Sequence, residues 1–172
     1  MTGTLLMVPH TALERGATRT TGTERPDSRP PLLASLRPHH FGISVPDLDA
    51  AVEWYDRMLG FRVESEMMLA HIPARIAFIC RDGYRIEIFE VPGAAPLPGE
   101  RRIPDLDLRT HGNKHMCFEV PDVGAAVAAL RAQGADIAYE VRVEGNATVF
   151  VRDVCGNLIE LLEPFPSDRN HS

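Results

Sequence analysis

His40-Phe41-Gly42-Ile43-Ser44-Val45-Pro46-Asp47-Leu48-Asp49-Ala50-Ala51-Val52 is written a second time, 75 positions on, as His115-Met116-Cys117-Phe118-Glu119-Val120-Pro121-Asp122-Val123-Gly124-Ala125-Ala126-Val127. The histidine, Val-Pro-Asp, an aliphatic residue and Ala-Ala-Val keep their places. A second echo, offset by 73, closes each copy: Arg85-Ile86-Glu87-Ile88-Phe89-Glu90 returns as Leu158-Ile159-Glu160-Leu161-Leu162-Glu163. Self-similarity of this kind decides the fold before any local reading does. Each copy opens on a histidine and ends on a carboxylate.

Working outward from the first copy, Phe41, Ile43 and Val45 alternate with His40, Gly42 and Ser44, the period-two pattern of a half-buried strand. Pro46 ends it, having no N–H for the ladder, and Asp47 is placed to cap a helix. Leu48, Ala51, Val52, Tyr55 and Leu59 then follow helical spacing up to Gly60, where an αL stop is wanted. Phe61 to Leu69, Ile76 to Cys80 and Arg85 to Val91 read as three more strands, the last two joined by a hairpin at Arg81-Asp82-Gly83. The unit is βαβββ.

The second copy repeats it. His115 to Val120 is the strand, Asp122 the cap, and Val123, Ala126, Val127 and Leu130 the buried stripe, with Gly134 as stop. Ile137 to Val143, Ala147 to Arg152 and Asn157 to Glu163 supply its three further strands. The expected fold class is α+β: two paired βαβββ modules forming a curved, open eight-stranded sheet with a metal site in its cup. Module 1 spans residues 37–92, the linker 93–112 and module 2 113–166, within one domain of 37–166. The linker holds Pro96, Pro98 and Pro104 and is too irregular for an element of its own. Residues 1–36 mix Thr, Gly, Arg and Pro without a period and read as a disordered tail; 167–172 form a short polar tail.

A hydrophobic fraction of 44% over 172 residues is enough to build a real core. A net charge of -6 with scattered charges is no footprint for nucleic acid, so partners are expected among small molecules or proteins. Three cysteines, Cys80, Cys117 and Cys155, are an odd number at wide spacing and suit a reducing, cytoplasmic setting rather than a disulfide framework. No apolar run is long enough to span a bilayer, and the N-terminus lacks the basic and apolar regions of a secretory signal.

A βαβββ unit buries one face of its sheet under its own helix and leaves the other free. By the period of two, His40 and Glu87 in the first copy, and His115 and Glu160 in the second, all project onto the free face. Imidazoles and carboxylates are the nitrogen and oxygen ligands of Zn, Ni, Fe(II), Mn or Co, and coordination positions left open beside them could take a substrate. One divalent metal ion is therefore the expected cofactor.

The paired His-x4-Val-Pro-Asp starts, with Ile86-Glu87-Ile88-Phe89-Glu90 and Gly156-Asn157-Leu158-Ile159-Glu160-Leu161-Leu162-Glu163-Pro164 as closing segments, resemble the vicinal oxygen chelate superfamily of glyoxalase I, methylmalonyl-CoA epimerase, extradiol dioxygenases and bleomycin- and fosfomycin-resistance proteins. The likeness covers roughly Arg37 to Pro166. It implies metal ligands on the first and fourth strands of each module, which match His40, Glu87, His115 and Glu160. It further implies a metal-dependent lyase or isomerase in which Glu160, and secondly Glu87, moves a proton on a substrate that chelates the metal through neighbouring oxygens. One rival is an Fe(II) ring-cleaving dioxygenase using His40, His115 and Glu160 with Glu87 idle; another is a metal-free binding or resistance protein. The resemblance also implies a homodimer.

Other residues are candidates for the rim of the cup. Arg75 offers a bidentate fork to a substrate carboxylate or phosphate, although such an arginine commonly ends in a surface ion pair. His71, His111, Asn113 and Lys114 sit in turns or at a strand entrance, where loop residues close over substrates. Cys117 shares the face of His115, with a small buried thiol as its ordinary fate. Glu90 and Glu163 fall on the helix side, and His39 is expected to point away from the cup.

Overall fold

The computed structural model describes residues 36–143 and 145–165. The segments read as N- and C-terminal tails lie almost wholly outside them. Within residues 38–165 the order of elements is β1 (Phe41–Val45), α1 (Leu48–Leu59), β2 (Arg62–Leu69), β3 (Ala74–Arg81), β4 (Tyr84–Glu90), a short α2 (Pro104–Asp107), β5 (Met116–Glu119), α3 (Val123–Ala132), β6 (Asp136–Val143), β7 (Asn146–Arg152) and β8 (Leu158–Leu162). This is βαβββ written twice.

The eight strands form two open four-stranded sheets, ordered β1-β4-β3-β2 and β5-β8-β7-β6. In each, the first strand runs parallel to the fourth and the other pairs are antiparallel. That single parallel pairing positions the site. It sets Gly42 opposite Glu87 and Cys117 opposite Glu160, so the histidine two residues earlier on the first strand shares a face with the acid on the fourth.

Both helices start as the repeat dictates. Asp47 Oδ1 accepts from Ala50 N at 2.9 Å, and Asp122 Oδ1 from Ala125 N at 2.8 Å. A second carboxylate reaches each helix start from the end of the fourth strand: Leu48 N donates to Glu90 Oε2 at 2.8 Å and Val123 N to Glu163 Oε1 at 3.2 Å. Glu90 and Glu163 are therefore on the helix side, as alternation requires, and each satisfies an N–H that a helix leaves unpaired. Gly60 ends α1 at φ 70°. Asp82 and Gly83, at φ 50° and 81°, make the two-residue turn whose twist matches the β3–β4 hairpin.

One hydrophobic cluster runs through both modules, from Ile43, Val45 and Ile88 under α1 to Ile159 and Leu161 under Val127 and Leu130 of α3. The buried face of α1 is wider than the expected stripe, since Trp54 and Met58 are covered as well. Met58 looks across to Phe118 and Leu130 of the second module, and the rings of Phe61 and Phe118 lie 5.7 Å apart. The helix thus packs on a neighbour in addition to its own sheet.

The linker departs from expectation. It holds a 3-10 turn at Gly99–Arg102 followed by α2, which begins on Pro104 and carries Asp105 and Asp107 in its only turn. Proline's fixed φ and acids at a helix start favour this helix locally. Burial of Asp107, 1% exposed, fixes it to the domain.

Candidate metal centre

His40 precedes β1 and Glu87 sits mid-way along β4; their Nε2 and Oε2 atoms are 3.0 Å apart. His115 precedes β5 and Glu160 lies on β8, with Nε2 and Oε2 again 3.0 Å apart. The two pairs are the same construction. Each histidine is partly covered and each acid more so, the side chains being 35% and 17% exposed in the first pair and 26% and 18% in the second.

Each pair has an aromatic wall that the sequence reading passed over. Phe78 stands opposite Glu87 across β3–β4, and its ring meets His40 edge-on with centroids 5.4 Å apart. Phe150 stands opposite Glu160 across β7–β8 and meets His115 at 5.1 Å in the same way. The signal lay in a third echo, Ala77-Phe78-Ile79 against Val149-Phe150-Val151, but only the strand register turns it into a neighbour of the histidine. His39 also contributes, its Nδ1 lying 2.7 Å from Nδ1 of His40. A partner at Nδ1 fixes the ring and leaves Nε2 as the nitrogen facing Glu87.

The hydrogen bond from His115 holds the Glu160 carboxyl below its ordinary range, outweighing the opposite pull of desolvation, with help from the Cys117 thiol. Cys117 is exposed on the free face rather than buried, which corrects the expectation for it. Desolvation, then the Glu160 carboxylate that it hydrogen-bonds, pushes its thiol up to about 12, so it stays protonated and donates. Gly42 occupies the matching position beside Glu87, with the ring of Phe89 next to it.

Nitrogen and oxygen donors of this kind suit a divalent ion, and so does their spacing. Two ligands about 2.1 Å from one octahedral ion and at right angles lie roughly 3.0 Å apart. In each half-site the two donors stand one hydrogen bond apart, a separation that two ligands of one ion would also have. No group of three or more His, Cys, Asp or Glu side chains within reach of a single ion occurs among the described residues. The chain itself assembles two two-donor sites.

Arg75 takes the ordinary fate of a surface arginine. Its Nη2 and Nη1 bind Asp49 at 2.8 and 3.1 Å, and Nη1 lies 3.4 Å from Glu90 Oε2. Being opposite Glu90 on β3–β4, it lies on the helix side, away from the face of Glu87. Of the rim candidates, Asn113 and Lys114 line a cavity of about 160 Å³ that touches His115, together with Arg101 from the linker. A larger cavity of about 340 Å³ lies between the modules on the helix side, walled by Met58, Phe61, Phe118, Leu130 and Leu161, and does not include the histidines.

Residues 37–161 match the model of the glyoxalase/bleomycin resistance protein/dioxygenase superfamily. The chain belongs to this superfamily. Among curated proteins, it is 28% identical over 131 residues to the mitochondrial methylmalonyl-CoA epimerase of Homo sapiens, covering 73% of this chain and 72% of that protein. It is 24% identical over 158 residues to the lactoylglutathione lyase of Pseudomonas putida, covering 79% and 90%. The crystal structure of the glyoxalase family protein from Enterococcus faecalis superimposes with a TM-score of 0.64 at 22% identity, over 74% of this chain and 97% of that one. Superfamily membership agrees with the resemblance drawn from the repeated segments, and the likeness to an epimerase and a lyase places the chain near the enzymes of the superfamily that act as isomerases and lyases.

Proposed function

We propose that this protein is a metal-dependent lyase or isomerase of the glyoxalase or epimerase type, acting as a homodimer on a small molecule with two neighbouring oxygens. The observation that carries this reading is the matched pair of His–Glu contacts, 3.0 Å each, on the free faces of two sheets. A protein that only sequestered a ligand would have no need to repeat them. His40, Glu87, His115 and Glu160 are the residues that would hold one divalent ion, with the homodimer bringing the two-donor sites together. The ion's contribution is to polarise the two substrate oxygens and acidify the adjacent C–H.

Proton movement falls to the acids. Glu160 is kept ionised by His115 in the resting protein. His115 would hold the ion through its Nε2, and Glu160 would be the acid that accepts the proton of the acidified C–H. Glu87, in the other half-site, is the second acid and would return the proton in an isomerisation. Phe78 and Phe150 hold the imidazoles and keep water from one side of each.

The test is metal analysis of protein purified without chelators, followed by exchange of a substrate C–H proton with deuterated water. Bound nickel, cobalt, zinc or manganese with proton exchange is the expected result, lost in His115→Ala and Glu160→Gln. Iron with oxygen uptake on catechols would instead mark a dioxygenase, and failure to bind any divalent ion would leave a ligand-binding protein. Metal affinity unchanged in Glu87→Gln would remove that acid from the ligand set.

A further inference from the structure

We infer that the cavity beside His115 is an oxyanion subsite, taking a carboxylate or phosphate of the substrate that lies outside the two oxygens proposed to chelate the metal. The inference rests on the functional reading only for the word substrate; the subsite itself is argued from the linker.

The cavity, about 160 Å³, is walled by residues 41–44 together with Arg101, Asn113, Lys114, His115 and Asn157. That volume suits a single carboxylate or phosphate group rather than a large ligand. No acidic side chain is among its walls. Behind them lies one carboxylate, Asp107, whose side chain is 2% exposed. Two cations converge on it: Arg101 through Nε, and Lys114 through Nζ at 3.5 Å. Arg101 and Lys114, both three-quarters covered, bring two positive charges to this wall against the one negative charge of Asp107, while the next carboxylate, Glu160, lies behind His115. Solvent screens such a charge far less than it screens a surface lysine.

The two cations divide the work. Lys114, the one lysine of the chain, spends its hydrogens inward, donating to the carbonyl oxygen of Asp107 at 2.7 Å and to that of Thr110. It contributes field. Arg101, which lines the cavity, uses Nε for Asp107 and Nη2 for the carbonyl oxygen of Asn113, and its Nη1 has no hydrogen-bond partner among the described residues. The Asn113 bond also ties the linker to the chain two residues before His115, so the subsite and the second half-site are held in one frame. In a protein of net charge -6, a local positive pocket is what draws an anion to this spot rather than elsewhere.

The full-length protein, ¹⁵N-labelled, is titrated with inorganic phosphate at low ionic strength. Expected are saturable amide shifts centred on residues 101, 113 and 114, and phosphate binding at least tenfold weaker in Arg101→Gln. Because Arg101 also pairs with buried Asp107, Asn113→Asp provides a second variant that adds a negative wall without touching that pair; it should weaken phosphate at least tenfold as well. His115→Ala should keep phosphate binding while losing divalent metal, which separates this subsite from the proposed metal centre. Shifts elsewhere, no saturation, phosphate affinity unchanged in both Arg101→Gln and Asn113→Asp, or loss of phosphate binding together with metal in a folded His115→Ala would each overturn the subsite.

Discussion

The hydroxyl of Tyr55, fully buried on α1, donates to Oδ2 of Asp153 at 3.1 Å, joining the helix of one module to the β7–β8 turn of the other across 98 positions of sequence. Asp153 is itself 5% exposed and also accepts from Cys155 N, Asn157 N and Asn157 Nδ2 at 2.8 to 2.9 Å. The turn so fixed leads straight into β8 and Glu160. Tyr55→Phe removes one of four donors and should cost about 1–2 kcal/mol, whereas Asp153→Ala strands all of them and should cost about 3 kcal/mol. Urea denaturation of the two variants checks the order; a Tyr55→Phe protein as weakened as Asp153→Ala would mean the hydroxyl, not the carboxylate, organises the turn.

The same contact sets an alkaline limit. Burial first, then the charge of Asp153, raises the Tyr55 hydroxyl well above the usual tyrosine range. A group whose pKa is higher when folded contributes stability that is complete below its unfolded value, about 10, and is lost as pH rises beyond it. The wild type should therefore lose more thermal stability between roughly pH 9 and 11 than Tyr55→Phe does. Parallel thermal scans of both proteins over that window are the measurement, and identical pH slopes would refute it.

Glu90 and Glu163 satisfy the first N–H groups of α1 and α3 from the helix side of their sheets. Glu90→Gln and Glu163→Gln should each cost about 0.5–1 kcal/mol, and the costs should add in the double variant because the helices are separate. Neither change should alter divalent metal affinity. A loss of metal in either variant would place these acids with Glu87 and Glu160 after all.

Phe78 and Phe150 touch the two histidines edge-on. Replacing either by leucine keeps an apolar side chain but frees the imidazole. The expected result is about a tenfold rise in the metal dissociation constant, the size seen when groups that orient a ligand are lost, with the fold retained. Calorimetric metal titration alongside a thermal scan distinguishes this from simple destabilisation: unchanged metal affinity in both variants would make the rings ordinary packing.

Much of this was legible in the chain because it is local. The repeat marked the two modules, the period of two put His40, Glu87, His115 and Glu160 on free faces, and Asp47, Gly60, Asp122 and Gly134 marked helix ends by their own backbone preferences. What escaped depends on partners far along the chain. Nothing near Phe78 says that β3 will align it with Glu87, and nothing near Tyr55 names Asp153. Arg75 could have served a substrate or an ion pair, and the pairing of β3 with β4 decided it by bringing Glu90 alongside. The linker looked irregular because its order comes from a buried Asp107 held by Arg101 and Lys114, contacts that carry no periodic signature.

The last strand of each module, with the residue that follows β8, carries two acids three residues apart, one turned to the open face and one to the helix start. Sliding that strand by a single step against its parallel neighbour would exchange their surroundings, driving Glu87 or Glu160 beneath a helix and stripping the helix of its partner at once. Misalignment is thus penalised at both surfaces together, and the residue spacing that arms the site also proofreads the strand that bears it.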